Sequence, residues 1–160
     1  MASDIFAKLG DIKGESLDDK HKDEIEVMSY SWGVSNAGSM GYGTGGGEGK
    51  ASFHDLSITH KVDKASPVLM QYCATGVHLK EATITHRKAG KGQQEYMVIK
   101  LNDVIITGVA HGGSTSDGLM QEQVSLNFAK VALEYKPQKP DGSLDAAVFF
   151  KYDLKAQKEA

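Results

Sequence analysis

Residues 119–135 read LMQEQVSLNFAKVALEY, and this stretch decides the fold class. Val124, Leu126 and Phe128 recur at every second position, the period of a half-buried β-strand rather than the three-to-four spacing of a helix. The apolar series then resumes at Val131, Leu133 and Tyr135 on the other face. A period-two pattern that changes phase part-way marks a strand that bends or bulges. A bent strand of this length suits a barrel better than a flat sheet.

Its neighbours carry the same signature. Residues 94–108, QEYMVIKLNDVIITG, precede it across a polar turn running from His111 to Gly118. Residues 78–87, HLKEATITHR, alternate around Ala82 and Ile84 and join that strand through the turn Lys88-Ala89-Gly90-Lys91-Gly92. Residues 51–60, ASFHDLSITH, set Leu56 and Ile58 on one face with Phe53 out of phase. In residues 24–34, EIEVMSYSWGV, Ile25 and Val27 share one face and Met28, Tyr30, Trp32 and Val34 the other. This predicts a bulge or twist near Val27-Met28. A short opener, DIFAKL at 4–9, begins the series. Downstream, the turn at Asp141-Gly142 returns into Val148, Phe150, Tyr152 and Leu154.

One segment departs from the strand pattern. Ser66-Pro67 reads as an N-cap followed by proline at the first helical position, with Gly76 as the stop. Between them Val68, Leu69, Tyr72 and Cys73 fall on one helical face. The expected fold is therefore mainly β: a compact barrel of two sheets, one short helix at about residues 66–75 and a long glycine-rich loop. No repeat or linker divides the sequence, so residues 1–160 are expected to form a single domain with a frayed tail from about 155.

Composition narrows the function classes. The chain has 18 basic and 21 acidic side chains, a net charge of −3 and a pI near 6.0, against the clustered basic surplus that captures nucleic acid or anionic membrane. Arg87 is its one arginine, so the forked phosphate binder typical of nucleic-acid sites is nearly absent. With Cys73 alone, neither an intramolecular disulfide nor a multi-cysteine metal site is possible. No apolar run approaches the roughly 18–20 residues of a membrane span. The opening MASDIF lacks the basic and apolar regions of a cleaved signal, so export by that route is not expected.

Chemistry-bearing motifs are weak. Ser35–Gly49, SNAGSMGYGTGGGEG, holds seven glycines in fifteen residues and satisfies G-x-G-x-x-G at Gly41–Gly46. A phosphate cradle needs a helix to follow, however, and β-type sequence follows instead. Gly49-Lys50 runs into Ala51, which removes a P-loop. His54 with His60, and His78 with His86, share strand faces but lie too far apart for two ligands on one strand to meet one ion. Ser52, His54 and Asp55 carry the letters of a hydrolase triad, yet neighbours on a strand alternate faces. Cys73 with His78 could mimic a thiol–imidazole pair, but Cys73 falls on the apolar helix face. Asp18-Asp19 and Glu24 with Glu26 read as solvated carboxylates. These residues suggest no enzyme, no cofactor and no metal, and favour a binding or structural role.

Several segments together resemble the haemolysin-coregulated protein (Hcp) family, the tube subunit of the bacterial type VI secretion system. They are residues 4–33 with Gly14-Glu15-Ser16, His21 and Ser29-Tyr30-Ser31-Trp32-Gly33; the glycine loop; Asp63-Lys64-Ala65-Ser66-Pro67 with Leu69-Met70; Arg87-Lys88-Ala89-Gly90; and 126–142, LNFAKVALEYKPQKPDG. The resemblance covers essentially the whole chain. It implies a β-barrel with one helix that forms homohexameric rings around a wide lumen. Stacked rings build a tube inside a contractile sheath behind a spike, and effector proteins bind in the lumen. It implies assembly in the cytoplasm and then secretion without a cleaved signal, outside the cell or into a target cell, in virulence or bacterial competition. Ser29 and Ser31 alternate against Met28, Tyr30 and Trp32, and the resemblance suggests that this small polar face lines the channel. The glycine loop reads as an arm to a neighbouring subunit or ring, with Met40, Tyr42, Gly43, Gly46 and Glu48 as contact candidates. Enzymatic domains of this family arise as C-terminal extensions, for which little sequence follows the last strand. The alternatives are a hydrolase on the same barrel and a monomeric carbohydrate- or ligand-binding β-domain, the latter distinguished by oligomeric state.

Overall fold

The computed structural model describes residues 3–38, 50–88, 92–116 and 118–160. Its elements are β1 (Ser3–Leu9), β2 (Ile25–Ser31), β3 (Val34–Asn36), β4 (Ala51–Phe53), β5 (Leu56–Lys61), α1 (Ser66–Thr75), β6 (His78–Lys88), β7 (Glu95–Gly113), β8 (Met120–Tyr135), β9 (Val148–Asp153) and β10 (Lys158–Glu159). Six strands run in the order β8-β5-β2-β1-β6-β7, and the further pairing of β7 with β8 closes them into an antiparallel barrel. Strands β9 and β10 extend the sheet beyond β8, whereas β3 and β4 form a separate two-stranded piece. Leu9, Ile25, Leu56, Ile58, Ile84, Leu101, Val124 and Leu126 fill the interior with no exposed surface.

The phase change at 119–135 is a corner shared by two strands. On β8 the buried apolar residues are Val124, Leu126 and Phe128, then Ala129 and Val131; on β7 they are Ile99 and Leu101, then Val104 and Ile106. The two series switch at the same level, since Leu101 lies opposite Val131 and Val104 opposite Phe128. Asp103, between them, has φ of 53°, in the left-handed region. Before the corner β8 pairs on its other edge with β5, placing Leu126 opposite Leu56. Beyond it the partner is β9, with Leu133 opposite Phe150.

The bulge predicted near Val27-Met28 lies between Val27 and Ser29, where the register with β5 slips. It changes which side chains turn inward. Tyr30 and Trp32 pack on the core, but Met28 and Val34 are exposed, correcting the expectation that all four share one apolar face. Segment 24–34 breaks at Trp32-Gly33 into β2 and β3. Segment 51–60 breaks at His54-Asp55 into β4 and β5, which belong to different sheets, and that is why Phe53 falls out of phase.

Helix α1 has the expected bounds but a different start. Ser66 is its first helical residue rather than its cap: the cap position is Ala65, which offers no side-chain hydrogen bond. The Ser66 hydroxyl instead accepts from the Asp63 amide at 3.1 Å. Gly76 ends the helix in the left-handed conformation at φ 69°. Leu69 is buried on the core with Tyr72 and Cys73 at its margin, and Val68 is exposed rather than on that face. Strand β7 runs to Gly113, into the segment read as a turn from His111. Past Leu154 the chain turns back, and Lys158 and Glu159 pair with β9.

Candidate functional site

Because β-strand side chains alternate, the residues between the core positions of β2, β5, β8 and β7 share the opposite, outer face. The registers assemble them into two rows. Ser31 lies opposite Ser57, Ser57 opposite Ser125, and Ser125 opposite Gly108. In the next row Ser29 lies opposite Thr59, Thr59 opposite Gln123, and Gln123 opposite Ala110. No side chain in either row is ionisable, and none is larger than glutamine. Ser57 and Ser125 share a hydrogen bond of 3.3 Å between hydroxyls. At one margin Asp55 accepts from the Thr107 hydroxyl at 2.6 Å and from the Asn127 amide at 2.9 Å, which fixes the carboxylate in place. The structure therefore brings Ser29 and Ser31 together with an uncharged surface contributed by three further strands.

A second polar assembly lies on the outside of β1 and β6. Phe6, Thr85 and Arg87 are buried there, although they point away from the barrel interior, because the β1–β2 connection folds over them. Arg87 donates to Asp18 at 2.9 and 2.6 Å and to Asp4 at 3.0 Å. Its guanidinium lies 4.9 Å from the Phe6 ring centre. His21 stacks on the same ring at 4.5 Å and bonds Glu24 at 2.8 Å and Glu95 at 2.7 Å. Asp18 and Glu24, read as solvated carboxylates, thus hold the connection to the barrel. The Arg87 guanidinium keeps the Asp18 carboxyl far below the usual carboxylate range, and Asp18 in turn raises Arg87. A side chain at Gly14 would place Cβ 2.5 Å from the Glu24 carbonyl oxygen, so only glycine fits there.

The loop candidates Met40, Tyr42, Gly43, Gly46 and Glu48 lie outside the described residues. The base of that loop is β3 and β4, where Val34 lies opposite Phe53 and Asn36 opposite Ala51. Phe53 is held by Trp32 at 6.3 Å, Tyr152 at 4.9 Å and Phe150 at 6.4 Å, an aromatic cluster that ties the loop base to β9.

The family described as "Type VI secretion system effector, Hcp" matches residues 6–135. The chain belongs to the Hcp family. It is 49% identical over 146 residues to the Pseudomonas aeruginosa protein hcp1, covering 91% of this chain and 90% of that protein. Among solved structures, Hcp1 from Salmonella typhimurium matches with a TM-score of 0.83 and 39% identity over the full length of both chains. A type six secretion system protein matches with a TM-score of 0.93 and 28% identity, covering 99% of this chain and 100% of that one. A type VI secretion system effector from Yersinia pestis matches at 0.76 and 35%, covering 94% and 99%. The mainly β barrel with one short helix is therefore an Hcp fold.

Within this Hcp chain the histidines do not converge on one ion, and no group of three or more His, Cys, Asp or Glu among the described residues is placed to hold a metal. His54 and His78 are exposed, while His60 is buried against Glu122. His86 is half-buried between Tyr30 and Tyr96, and burial lowers its pKa from the ordinary imidazole value. Asp55 bonds Thr107 and Asn127 rather than His54, so Ser52, His54 and Asp55 form no relay. Sequence reasoning missed Ser57, Thr59, Gln123 and Ser125 as companions of Ser29 and Ser31. The signal is present in the sequence: each alternates with the apolar residues Leu56 and Ile58 or Val124 and Leu126. No helix among the described residues is long and apolar enough to cross a membrane.

Proposed function

We propose that this chain is a tube subunit of the type VI secretion system. One barrel per chain closes with five copies into a hexameric ring, rings stack into the inner tube, and effector proteins are held in the lumen. The observation that carries this reading is the two-row face of Ser29, Ser31, Ser57, Thr59, Gln123, Ser125, Gly108 and Ala110. A wall of short neutral side chains leaves space for cargo and offers many weak hydrogen bonds. It presents no large apolar patch or charged row to trap what must later be released. Such a surface on six copies gains retention by multiplicity rather than by any single contact.

Family membership supports the remaining roles. Contractile sheath and spike proteins are the outer and terminal partners. The protein assembles in the cytoplasm and is then secreted, and the reading assigns no catalytic step to it. The Ser35–Gly49 arm, rooted in the Phe53 aromatic cluster, makes the subunit or ring contact. Ordering so much glycine costs on the order of 1–2 kcal/mol per residue, which burial of Met40 and Tyr42 against a neighbour helps offset.

The test is the solution mass and shape of the purified protein. Light scattering after size exclusion is expected to give close to six times 17.2 kDa, with six-fold rings in negative stain. A monomer that persists across concentrations would overturn the reading.

A further inference from the structure

Three titratable side chains stand in register across three strands. His60 on β5 lies opposite Glu122 on β8, which lies opposite His111 on β7. The His60 and Glu122 side chains have no exposed surface, whereas His111 is about half exposed. His60 Nε2 is 2.9 Å from Glu122 Oε1, and His111 Nδ1 is 3.3 Å from Oε2. The other ring nitrogen of His60, Nδ1, is buried and has no hydrogen-bond partner among the described residues. It faces Asp63 Oδ2 at 3.8 Å, just too far for a bond.

Asp63 also fixes the start of α1. Its Oδ1 accepts from the Ala65 amide at 2.9 Å, its amide donates to the Ser66 hydroxyl at 3.1 Å, and its carbonyl accepts from the Ser66 amide at 3.0 Å. Ala65 caps the helix without a side-chain hydrogen bond and Pro67 has no amide hydrogen, so these three bonds organise the first turn. From the β1–β2 connection, Glu15 approaches and accepts from the Lys64 amide at 2.8 Å. Glu26 and Lys61 line the same pocket of about 380 Å³ as Glu15 and Asp63.

With both imidazoles neutral and both carboxylates ionised, Glu122 and Asp63 place two negative charges beside one buried ring, and Glu15 adds a third. Removing like charges from water favours proton uptake. One proton between Nδ1 and Oδ2, on whichever atom it resides, converts the gap into a hydrogen bond. We propose that His60 Nδ1 and Asp63 Oδ2 form a proton-operated latch, whose closure tightens the first turn of α1 onto the barrel and whose opening in alkaline solution loosens it.

Burial raises the Asp63 pKa, and the nearby Glu15 and Glu122 reinforce the rise, against the Ala65 amide and His60, which lower it. A carboxyl whose folded pKa is raised gives stability fully present below its ordinary value and lost as the pH rises through the raised one. The latch therefore closes with acid.

Amide hydrogen exchange over residues 66–71, corrected for the intrinsic rate, tests this on the full chain. In the native protein, protection is expected to rise several-fold as the pH falls from alkaline solution through the raised Asp63 midpoint toward the ordinary carboxylate range. Asp63→Asn keeps the acceptor for Ala65 and supplies an amide donor to His60 Nδ1, so it should show high protection at both ends. His60→Gln keeps the donor to Glu122 but lacks Nδ1, and its protection should not respond to pH. His111→Gln should respond like the native protein. Protection that is flat in the native protein, or a response that survives in Asp63→Asn and His60→Gln or vanishes in His111→Gln, overturns the latch. Should the variants fail to fold, the native protein alone decides. The His60 Nδ1 nitrogen and Asp63 carboxyl carbon must titrate by NMR with a shared midpoint, and separate midpoints overturn the proposal.

Discussion

Arg87 reaches Asp18 and Asp4 with its fork while its plane lies over Phe6, so a single guanidinium pins the β1–β2 connection to two strands. The sequence marks Arg87 as solitary but hides its purpose, because both carboxylates are distant in the chain and only the fold brings them near. The same holds for His21 with Glu95. Gly14 is different: a glycine opening Gly14-Glu15-Ser16 was visible, and the Glu24 carbonyl explains it. Two outcomes are expected at this scale. Asp18 has its pKa held down in the folded protein, so its stabilising effect is present above the ordinary carboxylate value and lost as the pH falls below it. Urea unfolding should therefore show Asp18→Asn less stable at pH 7, with a flatter decline below about pH 4 than the native chain. Gly14→Ala forces Cβ onto a backbone oxygen and should cost about 1–3 kcal/mol by the same measurement. Full stability in Gly14→Ala would mean that the connection shifts freely, contrary to its bonding.

The corner shared by β7 and β8 lets one strand serve two partners. Asp103 adopts φ 53°, a region that side chains branched at Cβ resist, and its own side chain is exposed. Asp103→Val should therefore destabilise the protein by roughly 1–2 kcal/mol, whereas Asp103→Gly should be neutral or slightly stabilising. Equal effects in thermal melts would show that the corner does not depend on that conformation. At the scale of elements the sequence was largely readable. Most strands, the β2 bulge and the phase change in β8 follow from apolar spacing, which records burial directly, while the helix bounds follow from Ser66-Pro67 and Gly76. The breaks at Trp32-Gly33 and His54-Asp55 were not readable, because a strand that leaves one sheet for another keeps its strand-like composition. The start of α1 was misread for a related reason: Ser66 has the chemistry of a cap but uses its hydroxyl on Asp63.

Across the whole molecule, the outer face rather than the core carries the proposed activity. Ser31→Gln places a longer side chain on the row of Ser57, Ser125 and Gly108 without touching the interior. Rings of unchanged mass are expected, together with a loss of effector retention in co-purification. Undiminished retention would remove this face from the binding surface. Half of the face was legible beforehand, because Ser29 and Ser31 lie in one segment, while the other half needed the register. That register also dictates when the molecule can first exist. β6, β7 and β8 pair as sequence neighbours, but the barrel becomes continuous only when β1 meets β6 and β5 meets β8. Both seams join distant parts of the chain, and such pairings must be found slowly because the loops they close are long. A ribosome has to deliver β8 as far as Leu126 before the last seam can form. Until then β5 waits with an unpaired edge, ready to pair with any passing strand. A cell making this protein in quantity must therefore shield newly made chains from one another until closure, whatever the speed of later assembly.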